Sequence, residues 1–235
     1  MKLIKLVVIC SLSIFLFSCN KSEEDKKTDI GKESQKINIK MAGAFPSSLI
    51  ILGETGIKLT QKINDVSGGN INIKYFEPGA LVPPMEIFDA VSSGGVDAGF
   101  ASPAFWAGKV PALQFFTTFP FGPNPSEYIA WLRYGGGNDI FKEIYHAHNI
   151  HSIHCIATSP EGSGWFREEI NSVEDLKGLK MRFLGLGAKV MEKLGVSTQL
   201  LAGGDIYAAL ELGTIDATEY GMPAMDLELG FHAIA

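Results

Sequence analysis

The sequence has 235 residues, of which 46% are hydrophobic and 20% are charged, and its formal net charge is −6. This length suffices for one large domain or for two small ones with buried cores. Because acidic residues outnumber basic ones and the sequence has no basic stripe, it argues against a nucleic-acid partner.

The N-terminus has the pattern of an export signal. Two lysines precede an apolar run from Leu6 to Phe17, which is too short to span a bilayer stably. Leu16, Ser18 and Cys19 then match a bacterial lipobox. We predict a signal peptide over residues 1–18 and lipidation of Cys19 after cleavage. An ordinary signal peptide with an incidental cysteine is the alternative.

Residues 19–36 are charged and polar, so they predict a flexible linker between the lipid anchor and the folded part. Export implies the periplasm or the cell envelope, where disulfides form. Cleavage would remove Cys10 and lipid would cap Cys19, which leaves Cys155 without a partner. We therefore expect no disulfide framework, and we predict that Cys155 is a small buried core residue.

From residue 37 onward, predicted strands alternate with predicted helices. Ile37–Met41 and Ile71–Phe76 have the pattern of strands. A helix is predicted after each strand, the first from Leu49 to about Asn64 and the second from about Pro84 to Ser93. This rhythm is typical of a parallel sheet with helices on both faces.

An internal repeat indicates two lobes. Residues 86–98 align without a gap with residues 205–217, and each segment has the pattern of a helix, a glycine and a strand. Duplication and the general likeness of αβ units explain this equally well. We predict a first α/β lobe over residues 37–149, a second over residues 150–235 that opens with a strand at 150–157, and a cleft between them.

Polar side chains lie at the ends of two predicted strands in the second lobe. One strand ends at Arg182, and the other ends before Glu219 and Tyr220. Because ligands bind at strand ends in open α/β sheets, a guanidinium and a carboxylate here indicate a site for a small anion with a cation beside it. The alternatives are a surface ion pair of Arg182 with Glu192, and a solvent-exposed Glu219 beside a packed tyrosine.

Together with Pro160–Ile170, these strand ends resemble the extracytoplasmic solute-binding proteins of tripartite ATP-independent periplasmic (TRAP) transporters. The resemblance runs from about Ile37 to the last residue and is strongest to the branch that binds 2-oxoacids and related monocarboxylates. It implies a two-lobed fold like that of periplasmic binding proteins, and delivery of a small carboxylate to membrane transporter subunits. Since the sequence stops in mid-pattern at Ala235, we expect the C-terminal part of this fold to be missing.

The same resemblance implies roles for individual residues. Arg182 would bind the ligand carboxylate, while Glu219 and Tyr220 would help to hold a sodium or calcium ion. Glu161 stands where proteins of the resembled branch have glutamine, so it is a further candidate for the substrate site. Its extra negative charge either makes a cation more firmly required or indicates a different ligand.

Two aromatic residues of the first lobe are also candidates for the substrate site. Phe105 and Trp106 follow the predicted strand that ends near Phe100, where they would line the wall of the cleft. Ordinary core packing is the alternative for both. For Trp165, which lies four residues after Glu161, core packing is the prediction.

Two other functions remain open. No hydrolase motif is present in the sequence, so we do not predict an enzyme, although an exported enzyme on the same scaffold is one alternative. The other is a metal-binding lipoprotein that would hold zinc through a cluster of histidines. These histidines are His146, His148, His151 and His154.

Overall fold

Two β-sheets organise residues 36–235, which are the residues that the computed structural model describes. The predicted signal peptide, Cys19 and the predicted linker up to residue 35 lie outside this range. The first sheet is parallel, with the order β2–β1–β3. Its strands are β1 at Ile37–Gly43, β2 at Ile71–Phe76 and β3 at Ala98–Phe100.

The second sheet has the order β4–β7–β5–β6. Strand β5 is parallel to both of its neighbours, whereas β4 is antiparallel to β7. The strands are β4 at Trp165–Phe166, β5 at Lys180–Arg182, β6 at Ser197–Gln199 and β7 at Ala217–Thr218. The predicted mixed α/β fold is therefore confirmed, and the sheets are parallel except at one edge.

Seven α-helices lie within residues 36–235. Their bounds are α1 Leu52–Val66, α2 Ile87–Ser92, α3 Pro125–Tyr134, α4 Gly137–His146, α5 Gly185–Lys193, α6 Gly203–Glu211 and α7 Pro223–Glu228. Short 3₁₀ helices lie at Pro84–Glu86, Pro103–Trp106, Pro111–Phe116, Val173–Leu176 and Phe231–Ala233. Several of these elements begin with proline, because the first turn of a helix has no need of that residue's amide hydrogen.

The local predictions are mostly confirmed. β1, β2 and α1 lie where the pattern placed them, and the helix predicted after Pro84 is a 3₁₀ turn followed by α2. The strand predicted over residues 150–157 is wrong, because this segment forms no strand pairing with either sheet. Without a neighbouring strand its side chains remain largely outside the core, and Cys155 is exposed rather than buried.

The repeated segments adopt the same local structure. In one, α2 is followed by Gly94 and β3; in the other, α6 is followed by Gly213 and β7. Both glycines have positive φ, +77° and +69°, which favours glycine at the end of a helix. After each glycine, two successive amides donate to one carbonyl oxygen, that of Ala90 in the first segment and of Ala209 in the second.

Each repeat also carries an aspartate that joins its strand to the neighbouring parallel strand. Asp97 Oδ2 accepts a hydrogen bond from the Lys40 amide at 2.8 Å, and Asp216 Oδ2 accepts one from the Lys180 amide at 3.0 Å. β1 and β5 are therefore equivalent strands in the two sheets. By this equivalence, Ala42 of β1 corresponds to Arg182 of β5.

The main hydrophobic core joins residues from both predicted lobes, including Met41 and Phe105 from the first part of the chain and Ile206 and Phe231 from the second. Residues 36–235 form one compact unit. A smaller cluster around Met181 lies at the second sheet. The boundary between lobes at residues 149 and 150 stays a prediction. Within residues 36–235 no helix combines the length and the apolar character that crossing a bilayer requires.

Candidate ligand site

Arg182 lies at the carboxyl end of β5, and its side chain is only 1% exposed. Nε donates to the Leu201 carbonyl at 3.2 Å, and Nη1 donates to the Glu219 carbonyl at 2.6 Å and to Glu219 Oε2 at 3.0 Å. No described residue accepts a hydrogen bond from Nη2. The guanidinium is therefore fixed on two sides, with one nitrogen left to bind another acceptor.

This geometry excludes the alternative in which Arg182 forms a surface ion pair with Glu192. Glu192 instead bonds to Lys189 at 3.0 Å and to the Thr198 hydroxyl at 2.7 Å. These partners lie on α5 and β6, where the carboxylate of Glu192 is substantially exposed. The partner of Arg182 is the residue that follows the adjacent strand, because β5 and β7 are hydrogen-bonded neighbours.

Glu219 is buried directly beside Arg182, so the alternative of a solvent-exposed carboxylate is wrong. Oε2 accepts hydrogen bonds from Arg182 and, at 3.1 Å, from the Leu184 amide just before α5. No nitrogen or hydroxyl donor among the described residues reaches Oε1. Burial raises the pKa of Glu219, and the positive charge of Arg182 opposes that shift.

Glu161 brings a second carboxyl group to this cluster. It is half-buried, and its side chain faces that of Glu219. Burial, together with the negative charge of Glu219 and a hydrogen bond between the two side chains, raises the pKa of Glu161 to about 8. Its loop is held near the end of β7, because the Gly162 amide donates to the Gly221 carbonyl at 3.3 Å.

Tyr220 forms the aromatic side of the cluster. Its ring lies 5.2 Å from the guanidinium carbon of Arg182 and makes an edge contact with Phe231, with 6.1 Å between ring centroids. Gly203 leaves room for this ring, since a Cβ there would lie 2.5 Å from the tyrosine oxygen. Burial raises the pKa of Tyr220 to about 12.

Sequence reasoning missed Asp226, which lies on α7 and is 2% exposed. Its Oδ2 accepts a hydrogen bond from the Trp165 indole at 2.9 Å, so Trp165 makes a polar contact in addition to its packing. Burial raises the pKa of Asp226, and its negative charge raises the pKa of Glu161. In the sequence, the signal for Asp226 is that an acidic residue stands within the apolar run that follows Tyr220.

The structure places Phe105 and Trp106 in the hydrophobic core, as the packing alternative expects. Their rings stack on each other and contact Phe45 and Phe88 rather than Arg182 or Tyr220. Their prediction as residues of the cleft wall has no support from these contacts. The Trp106 indole nitrogen is buried, and no hydrogen-bond acceptor for it is found within residues 36–235.

The four histidines do not come together. His146 Nε2 and His151 Nδ1 are 3.2 Å apart, but His148 packs against Phe88. His154 packs against Tyr128 and Phe141, and burial lowers its pKa. The cluster on which the zinc alternative depends is thus divided among separate packing sites.

The buried cluster has the charges and donors that a carboxylate with a cation requires. Arg182 offers a donor to an anion, and no nitrogen or hydroxyl donor among the described residues reaches Glu219 Oε1. Across the described part of the chain, no three acid, histidine or cysteine side chains converge on one point. A hard cation here would therefore take its other oxygens from backbone, water and ligand, as sodium and calcium do.

A mixed α/β fold with a buried arginine at a strand end is compatible with a binding protein for a small solute. The chain belongs to the bacterial extracellular solute-binding proteins, family 7 (DctP), because the model of that family matches residues 43–235. The predicted resemblance is confirmed. Members of this family work outside the cytoplasm, and they are receptors for TRAP transporters.

Individual relatives agree with this assignment. A monocarboxylate 2-oxoacid-binding periplasmic protein of Nostoc sp. is 42% identical over 198 residues, which are 83% of this chain and 54% of that protein. A TRAP solute-binding protein of Bordetella bronchiseptica, with calcium and picolinate bound, superposes with a TM-score of 0.83 at 38% identity. The match covers 86% of this chain and 60% of that one.

A TRAP solute-binding protein of Pseudoalteromonas atlantica, with sodium and pyruvate bound, is also 38% identical, with a TM-score of 0.79. The match covers 86% of this chain and 61% of that one. The chain thus spans about half the length of the curated relative and about three fifths of the solved structures.

Proposed function

We propose that the protein captures a small monocarboxylate of the 2-oxoacid or hydroxyacid type. The observation that carries this proposal is the buried guanidinium of Arg182, whose Nη2 has no acceptor among the described residues. A carboxylate at that nitrogen would form a charge-assisted hydrogen bond in a dry site, where such bonds are strong.

The internal repeat gives this role a further argument. The equivalent position in the first sheet is Ala42, which is also buried and completes the same parallel pairing without any charge. Strand geometry therefore does not require arginine at this point. Because a buried ion pair carries a desolvation cost that strand geometry does not require, the Arg182–Glu219 pair supports a role in ligand binding rather than in folding.

A sodium or calcium ion is proposed as the second component of the site. Glu219 would hold it, with Tyr220 and Glu161 next to it, and the ion would offset the negative charge of these carboxylates and of the ligand. The relatives from Bordetella and Pseudoalteromonas hold a calcium and a sodium ion, respectively. We propose that the loaded protein then delivers its ligand to the membrane subunits of a TRAP transporter.

Isothermal titration calorimetry on the full chain tests this function. Pyruvate and lactate are titrated into chelator-treated protein, with calcium, with sodium and without either ion. We expect binding of at least one acid, and a loss of about tenfold or more in affinity when both ions are removed. Glu219→Gln should reproduce that loss with the ions present. If neither acid binds under any of these conditions, the proposed ligand class is wrong.

We also propose that a lipid on Cys19 attaches the protein to the membrane, with residues 19–36 as a linker. The lipobox and the export signal support this proposal. Cys19→Ala should block processing at that site and move the protein from the membrane fraction to the soluble or precursor fraction. A Cys155→Ala variant is the control and should fractionate as wild type. Unchanged membrane association of Cys19→Ala would refute the lipid anchor.

A further inference from the structure

We propose that Asp226 is a positioning residue of the ligand site and that it acts through the indole of Trp165. Together these two side chains hold the segment of Glu219 and Tyr220 in place beside Arg182. This inference rests on the proposed function, because it concerns residues of the same site. It follows from the path of the chain between β7 and α7 and from the contacts that Trp165 makes with both elements.

The segment that carries Glu219 and Tyr220 has no regular secondary structure. Residues 219–222 lie between the end of β7 and the start of α7, outside any helix or strand. At the start of the segment, the Glu219 amide donates to the Arg182 carbonyl at 3.1 Å. At its end, Pro223 begins α7. Helix and strand hydrogen bonds therefore do not by themselves fix the ring of Tyr220, which lies between these two points.

The chain around Trp165 runs antiparallel beside this segment. Trp165 of β4 is paired with Thr218 of β7, directly before Glu219. Further along, the Gly162 amide donates to the Gly221 carbonyl at 3.3 Å. The backbone of Trp165 therefore anchors the end of the segment that lies next to the sheet.

Asp226 anchors the other end to the same tryptophan. Its side chain is 2% exposed, and Oδ2 accepts a hydrogen bond from the Trp165 indole at 2.9 Å. Burial raises the pKa of Asp226, and the Trp165 indole and the Gly221 amide beside the carboxyl group oppose that rise. Trp165 thus contacts the chain on both sides of Glu219 and Tyr220, once through its backbone and once through its indole.

Two features favour positioning over simple core packing as the role of Asp226. A buried carboxylate carries a desolvation cost that an apolar side chain on α7 would avoid. A hydrogen bond to a carboxylate away from water is also strong and directional, so it fixes the distance between α7 and β4. That distance sets where the intervening segment places the Glu219 carboxylate and the Tyr220 ring, which lies 5.2 Å from the guanidinium carbon of Arg182.

Hydrogen exchange tests the position of the segment without any ligand. Trp165→Phe removes the indole donor, keeps an aromatic ring and changes no charge. Trp131→Phe is the matched control, because Trp131 is also partly buried and its ring packs against Phe116 and Tyr128. In the full chain, we expect the amides of residues 219–222 to exchange about tenfold faster in Trp165→Phe than in wild type, and at the wild-type rate in Trp131→Phe. Unchanged exchange in Trp165→Phe would overturn the inference.

Ligand affinity tests whether that position matters for binding. Pyruvate and lactate are titrated by calorimetry, with calcium and sodium present and at a temperature where every variant is folded. Trp165→Phe and Asp226→Ala should each weaken binding by about tenfold or more. The double variant should bind no more weakly than the weaker of the two single variants, because both changes break the same bond. Asp226→Asn keeps an oxygen acceptor for the indole, so it should lose less affinity than Asp226→Ala, and Trp131→Phe should bind as wild type does.

Several outcomes would contradict this role. Additive losses, or equal losses in Asp226→Asn and Asp226→Ala, would show that Asp226 does not act through the indole. Faster exchange with wild-type affinity in Trp165→Phe would show that the position of the segment does not control binding. An equal loss of affinity in Trp131→Phe would assign the effect to general destabilisation. If neither acid binds to wild type, the proposed ligand class fails, and the hydrogen exchange of residues 219–222 still decides whether Trp165 holds them in place.

Discussion

Replacing Arg182 with lysine should weaken binding of the preferred carboxylate by about ten- to a hundredfold, equivalent to roughly 1 to 3 kcal/mol. Lysine keeps the positive charge, but it lacks the planar fork that reaches the Leu201 carbonyl, the Glu219 carbonyl and the Glu219 carboxylate together. A carboxylate would then meet a mobile ammonium group instead of a fixed guanidinium. Calorimetric titration of pyruvate or lactate measures the change.

Alanine at this position tests a second consequence of the buried pair. Arg182→Ala leaves the buried carboxylate of Glu219 without its counter-charge, so we expect a loss of roughly 3 to 5 kcal/mol in the free energy of unfolding. A double variant, Arg182→Met with Glu219→Leu, should recover most of that stability and still fail to bind. Urea denaturation measures the free energy of unfolding of each variant, and calorimetry measures its ligand affinity.

The control for this series is Arg133, an exposed residue of α3. Arg133→Lys should change neither ligand affinity nor stability by more than about 0.5 kcal/mol. If Arg182→Lys bound the preferred acid as tightly as wild type did, the carboxylate site would lie elsewhere. If the double variant retained affinity, the guanidinium would have a purely structural role.

Periodicity and strand-end logic were enough to predict much of the fold and the proximity of Arg182 to Glu219. Arg182 and Glu219 follow adjacent parallel strands, and the ends of such strands meet at one edge of the sheet. The sequence alone therefore predicts that these two residues lie close together. Their burial was harder to predict, because it depends on residues outside the two strands, such as Leu201, whose carbonyl accepts a hydrogen bond from Arg182, and Leu184, whose amide donates to Glu219.

Residues whose environment is set by distant parts of the chain were predicted poorly. Asp226 meets Trp165 across 61 positions of sequence, a contact that no local pattern reveals. The apolar residues of segment 150–157 predict a strand, yet a strand forms only where a neighbour supplies hydrogen bonds. For Phe105, hydrophobicity alone did not distinguish a cleft wall from the core in which the ring lies.

The second large effect is expected from Phe231→Ala. Phe231 is fully buried, and its ring supports Tyr220, which in turn lies over Arg182. Removing the ring leaves a cavity in the main core, and phenylalanine to alanine changes of this kind cost about 3 to 5 kcal/mol of unfolding free energy. Because Tyr220 would lose its edge contact, ligand affinity should fall as well.

Phe121 provides a matched control, because its side chain is fully exposed and the same substitution there removes an equal volume from the surface. Phe121→Ala should change the unfolding free energy by no more than about 0.5 kcal/mol and leave affinity unaltered. Urea denaturation of both variants, followed by calorimetry at a temperature where each is folded, makes the comparison. Equal stability of the two variants would show that Phe231 does not support the core. Lowered stability with wild-type affinity would show instead that Tyr220 holds its position over Arg182 without the phenylalanine ring.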